Sequence, residues 1–164
     1  MSPGRLGYGG MVGLLDGMRD DDRHTGERLA AEPVIWLGTV RPDGRPHHVP
    51  VWFAWHDPAV LIFSMPGTAK LRNVRRSPAV SLALDSADGG QDIVLADGRA
   101  ELPAEGDPQL SLLTGRFQEK YAQALARMSF EQWRSTFSQP VLVRVERIVA
   151  WTRTATGVAY RVVP

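Results

Sequence analysis

From Val34 onward, apolar and polar positions alternate with a period of two, and that pattern predicts strands. Val34–Val40 (VIWLGTV) is apolar on both faces, as a buried barrel strand would be. The turn Arg41–Arg45 carries Asp43-Gly44 at its tip, a strong hairpin signal. Pro46–Trp55 returns as a second strand, with His47, Val49, Val51, Phe53 and Trp55 on one face and His48, Pro50, Trp52 and Ala54 on the other. Pro50 has no N–H to give a ladder, so it marks an edge, a bulge or a stretch of backbone left free for a ligand. His56-Asp57-Pro58 turns the chain into a third strand, Ala59–Met65. Pro78–Asp85 and Asp92–Leu102 are the fourth and fifth, joined by a polar loop. Val141–Val149 is a long sixth, and Val158–Val163 a short last one.

Spacings of three and four predict the helices. Arg23–Glu32 is a short one, with Leu29 and Ala30 facing inward and Pro33 ending it. Thr68 is placed to cap a helix over Ala69–Arg76. Asp107-Pro108 opens a longer helix whose apolar face is Leu110, Leu113, Phe117, Tyr121, Leu125 and Met128. Ser129–Gln132 fits a capping box for a further short helix burying Phe130, Trp133 and Phe137. Six main strands in hairpin order, a short last one and few helices give a β-dominated α+β fold, an antiparallel barrel with its helices outside. Residues 1–22 are Gly-rich and expected to be a flexible tail, with at most a short helix near Met11–Met18. Residues 23–164 form the barrel domain.

Composition narrows the function classes. The 164 residues, 43% hydrophobic and 23% charged, suit one globular domain. There is no cysteine, which excludes disulfides, thiolate catalysis and cysteine-ligated metals. A net charge of +1 gives no expectation of a nucleic-acid or membrane partner. No apolar run approaches the ~18–20 residues of a membrane helix, and the N-terminus lacks the apolar core of a signal peptide, so a cytoplasmic protein is expected. His47 and His48 point to opposite faces of a strand and cannot together grip one ion, and Asp20-Asp21-Asp22 reads as a solvated helix start. No metal is expected.

The charge distribution says more than its sum. Between Asp57 and Asp85 there is no acid, while Lys70, Arg72, Arg75 and Arg76 all fall there. Lys70 is one of only two lysines, and Asn73 is the sole asparagine. Ser64-Met65-Pro66-Gly67-Thr68-Ala69-Lys70 ends a strand, turns at a glycine and opens a helix with free N–H groups, an arrangement suited to an anion such as phosphate. Trp36, Trp52, Phe53 and Trp55 flank the hairpin; they serve either as core or as walls for a flat conjugated ring. Dinucleotide, Walker, HExxH and GxSxG motifs are absent.

LGTVRPDGRPHHVPVWF followed by IFSMPGTAKLRNVRRSPAVSLAL resembles the split β-barrel flavin-binding proteins related to pyridoxamine 5′-phosphate oxidase, and within them the actinobacterial branch that uses the deazaflavin coenzyme F420. The resemblance extends over Arg28–Trp151. It implies a six-stranded antiparallel split barrel that forms a homodimer, with cofactor at the subunit interface. It implies that His47, His48, Val49, Pro50 and Val51 lie beside the cofactor ring. Ser64, Met65, Gly67, Thr68 and Lys70 would take the ribityl chain and phosphate, with Arg72, Asn73 and Arg75 following in the same helix. The expected activity is hydride transfer from reduced F420 to a small conjugated substrate, with His47 or His48 as the candidate proton donor. An FMN-binding oxidoreductase is the alternative on the same fold, and a non-catalytic flavin- or tetrapyrrole-binding protein is a third.

Overall fold

A computed structural model of the chain describes residues 13–15, 17, 19–104, 106–154 and 157–163. Met11 and Met18, the ends of the short helix expected in the tail, lie outside the described residues. Strands β1 (Ile35–Val40) and β2 (Pro46–Val51) form the predicted hairpin, in register from Ile35 opposite Val51 to Val40 opposite Pro46. Gly44 turns it with φ +82°, a backbone region that costs glycine little. In β2, His47, Val49 and Val51 are half-buried and His48 and Pro50 exposed, as strand alternation requires.

The expected return strand is not continuous to Trp55. It breaks at Trp52, and β3 (Phe53–His56) joins the opposite end of the sheet. The cause is Tyr121: its hydroxyl accepts the Phe53 N–H at 2.9 Å and its ring stacks on Trp52, 4.4 Å between centroids and 3° between planes. The remaining strands are β4 (Ala59–Ser64), β5 (Ala79–Leu84), β6 (Asp92–Glu101), β7 (Gln139–Thr154) and β8 (Gly157–Val163). All pairs are antiparallel, in the order β2-β1-β5-β6-β7-β4-β3, with β8 on β7. The sheet is thus a strongly curled half-barrel of eight strands rather than six. Strand β7 is long enough to serve β4 over Gln139–Arg144 and β8 over Ile148–Thr154, in tandem.

Among the described residues four α-helices cover it: α1 (Asp20–Ala31), α2 (Ala69–Arg76), α3 (Pro108–Lys120) and α4 (Phe130–Thr136). Helix α1 starts three residues earlier than expected, with Asp20, Asp21 and Asp22 in its first turn, where the helix dipole favours acids. Leu29 is buried as expected, but Ala30 is exposed. Helix α3 is capped by Asp107, whose carboxylate accepts from the Gln109 N–H at 2.8 Å. It ends at Lys120, so Met128 lies off it and is half exposed, while Leu125 in the following turns stays buried. Helix α4 has the predicted capping box.

Two cores result. The inside of the curl holds Leu29, Ile35, Leu37, Phe53, Trp55, Val60 and Ile62, among others. The second packs Leu61, Phe63 and Leu142 on the outer face of the sheet against Leu113, Phe117, Tyr121 and Trp133 of the helical side. Strand β4 is therefore buried on both faces. Strand β1 is not, because Trp36 and Val40 face outward and are exposed. Trp36 belongs to one row that crosses the sheet, from Pro50 through Trp36, Ala83, Leu95 and Val149 to Val162. All six are apolar, and Trp36, Leu95 and Val162 are each more than a third exposed. No helix among the described residues is long and apolar enough to cross a membrane.

Candidate functional site

The acid-free stretch of the sequence lies where β4 meets α2. After Ser64, the chain turns through Gly67 at φ +73°. Thr68 occupies the N-cap position with extended backbone, but its side chain does not cap the helix. Its hydroxyl pairs instead with that of Ser64 at 3.0 Å, and the Ser64 hydroxyl also lies 3.0 Å from the Met65 carbonyl. Arg72 donates back to the Gly67 carbonyl and braces the loop. Met65 and Gly67 themselves are exposed.

Lys70, in the first turn of α2, lies in the wall of a cleft of about 260 Å³. Pro50, Val51 and Trp52 at the end of β2 line it from one side, and Phe63, Trp133 and Phe137 from another. Lys70 is half-buried, and burial pushes its amine below the ordinary lysine value. Among the described residues no carboxylate lines the cleft, so its electrostatics suit an anionic or neutral guest. Among the described residues no cluster of three or more His, Asp or Glu is arranged to hold a metal ion.

A polar relay lies behind the cleft. The buried Asn73 amide donates to Thr39 Oγ1 at 2.9 Å, and Thr39 Oγ1 lies 3.4 Å from His47 Nδ1. His47 is pushed toward the neutral form, first by burial and then by the positive charges of Arg41, Lys70 and His48. His48 faces the other way. Its ring and the Ser81 hydroxyl close over Gly38, where an added Cβ would sit 2.7 Å from His48 Nε2 and 2.2 Å from Ser81 Oγ.

The structure thus gathers Pro50, Val51 and Lys70 around one cleft, with the Ser64–Thr68 loop leading into α2 and His47 joined to that helix through Thr39 and Asn73. Val49 packs into the inner core. The Asn73 side chain is committed to Thr39, and His48 lies on the outer face. Arg75 and Arg76 are exposed at the end of α2 and make no ion pair among the described residues. Of the four aromatics flanking the hairpin, only Trp52 lines the cleft; Phe53 and Trp55 are core and Trp36 is on the outer row. Phe63, Trp133 and Phe137 are cleft residues that sequence reasoning assigned to the core or left aside. The available signal was three aromatics, Phe130, Trp133 and Phe137, on one short helix.

Residues 22–152 match the family model of pyridoxamine 5′-phosphate oxidase. The chain belongs to that family. Its split-barrel fold recurs in solved structures. A conserved hypothetical protein, Rv2991, from Mycobacterium tuberculosis is 23% identical with a TM-score of 0.64, over 82% of this chain and 88% of that one. A FAD-binding protein from Mesorhizobium loti is 23% identical with a TM-score of 0.59, over 77% and 88%. A heme-binding protein from Mycobacterium smegmatis is 20% identical with a TM-score of 0.62, over 84% of this chain and 56% of that one. No curated protein sequence gives a significant match.

Proposed function

We propose that this family member is an F420-dependent reductase, working as a homodimer. The observation that carries this reading is Lys70: a half-buried ammonium in the wall of a cleft that no acid among the described residues lines. A desolvated cation of this kind holds a phosphate more strongly than an exposed one. The Ser64–Thr68 loop, braced by Arg72 and with its two hydroxyls paired, leads directly into the helix that carries Lys70. The residues therefore fit a phosphate-bearing cofactor. F420 carries acidic groups beyond its phosphate, and the exposed Arg75 and Arg76 lie further along the same helix to meet them.

When bound, reduced deazaflavin supplies a hydride from its C5. This chain's residues bind and orient. Lys70 and the loop would hold the phosphate, and the β2 segment from His47 to Val51 would flank the ring. Of the histidine pair, His47 is the candidate for moving a proton, because it faces inward and is wired to α2 through Thr39 and Asn73. The apolar row from Pro50 to Val162 supports the homodimer. A second copy covering it would border the cleft at Pro50, which belongs to both.

Titration of the purified protein with F420 and, separately, FMN tests the reading, with tryptophan quenching as readout. F420 is expected to bind more tightly than FMN. Lys70→Ala is expected to weaken it about ten- to 150-fold, the loss of one charge-assisted contact of roughly 1.5–3 kcal/mol. Preference for FMN would move the protein to the flavin oxidoreductases, and an unchanged dissociation constant in the variant would remove Lys70 from the phosphate site.

A further inference from the structure

Beside the apolar row on the outer face runs a second one, displaced by two residues on every strand: His48, Gly38, Ser81, Asp97 and Arg147. The two rows lie about 7 Å apart. His48 lies down in its row. Its ring covers Gly38, where an added Cβ would meet Cδ2 at 2.9 Å and Nε2 at 2.7 Å. A side chain at position 38 would push the imidazole up from the sheet. With glycine there, the ring rests low against β1 and stays exposed.

The apolar row is too narrow to hold a dimer alone. Six strands at about 4.8 Å give a strip about 24 Å long and, for one row, about 7 Å wide. That is on the order of 170 Å², against the ~800 Å² that each partner buries in a standard interface. A second copy seated on this row therefore reaches at least one row to each side. On one side that neighbour is the row of His48.

Imidazole is the side chain that ordinarily gains its charge between pH 5 and 8. On the outer face β1 offers His48 only Gly38, and β5 the Ser81 hydroxyl. His47, on its own strand, points to the other face. Asp97 of β6 lies three strands away and pairs with Arg147 of β7 at 3.5 Å. In the hairpin turn Asp43 pairs with Arg45 at 2.6 Å, and Arg41 adds a further positive charge. No ion pair among the described residues involves His48. A neutral imidazole can be covered at little cost, whereas an imidazolium covered without a carboxylate loses its hydration uncompensated.

We propose that the second copy covers His48 together with the apolar row, and that protonation of His48 releases it, which makes the outer face an acid-opened interface. This inference rests on the homodimer reading above and adds its regulation. Each copy sheds one proton on association in mild acid, so the response is steep. Because Pro50 borders both the row and the cleft, dissociation also uncovers that side of the cleft.

The test is the dimer dissociation constant of the full chain at pH 7.5 and 5.5, from sedimentation velocity over a concentration series, with circular dichroism at both pH values. For wild type it is expected to rise at least tenfold in acid. His48→Gln should match wild type at pH 7.5 within threefold and change no more than twofold in acid. His48→Lys, charged throughout, should be weakened at least tenfold already at pH 7.5. His24→Gln, a control on α1, should respond as wild type does. A wild-type constant unmoved by pH would overturn the gate and leave the dimer standing. Equal acid weakening in His48→Gln, or loss of native circular dichroism at pH 5.5 in both proteins, would place the acid effect elsewhere and overturn the gate as well. A wild-type monomer at both pH values would overturn the homodimer reading and the gate with it.

Discussion

Lys120, the last residue of α3, keeps its charge where water does not reach. Its Nζ is buried with no hydrogen-bond partner among the described residues and sits 3.7 Å over the ring of Phe53. Burial pushes the amine down to about 8, against a smaller upward pull from Glu32. An unfolded lysine titrates near 10.4, so between these values the unfolded chain binds more protons and stability rises with pH. Below about 8 both states are charged and the full cost of burial is felt. Lys120→Met is therefore expected to raise stability at pH 7 by about 1 kcal/mol, a figure discounted for partial exposure and for the lost ring contact, and to lose that advantage by pH 10.5. Urea unfolding at both pH values checks it. The sequence pointed to Lys70 through the missing acids around it, but nothing local marks Lys120, because what makes it unusual is Phe53, far off in the chain. The same holds for Asn73. Its place beside Lys70 suggested a cofactor contact, whereas α2 turns Leu71, Asn73 and Val74 toward the interior and the amide finds Thr39 there.

At the scale of elements, β6 and β7 slip register between Asp97 and Gly98. An added Cβ at Gly98 would lie 2.3 Å from the Arg144 carbonyl oxygen and 3.0 Å from Val145 Cα, both backbone. Gly98→Ala is expected to cost about 2 kcal/mol or more in urea unfolding. Gly115→Ala, inside α3 with nothing within 4 Å of the new methyl, is expected to stabilise by up to ~1 kcal/mol. Most strands were legible from alternation, and both helix starts at Asp107 and Ser129 from their caps. The break at Trp52 was not. Alternation records which way side chains point, and it runs unbroken from Pro46 to Trp55. It does not record which strand the backbone pairs with, and Tyr121 decides that from 68 residues away. Leu125 continued the helical spacing past Lys120 for a similar reason: an apolar residue in a tight series of turns buries as readily as in a helix, whereas Met128 in the same turns is half exposed.

At the scale of the molecule, the apolar row across the outer sheet predicts the assembly. Leu95 sits in its middle and is 38% exposed, so a charge there leaves the fold alone. Leu95→Lys is expected to convert the proposed dimer to monomer in sedimentation velocity with the melting temperature shifted by no more than a few degrees. A variant sedimenting like wild type would remove this row from the interface. The row was hidden in the sequence, since its six residues come from six strands and only the register aligns them.

The tandem use of β7 also orders events during synthesis. Strand β4 has its partner β3 at hand, but its other edge waits for β7, with Leu61 opposite Leu142. At about 5–20 residues per second, the ribosome takes on the order of 4–16 s to supply that partner. Through that interval the nascent chain displays Leu61 and Phe63 bare, the outer face of the hairpin that α3 and α4 later cover. The β3–β4 hairpin is thus the segment of the growing polypeptide with the greatest need of a chaperone, and a translational pause before residue 139 would lengthen its exposure.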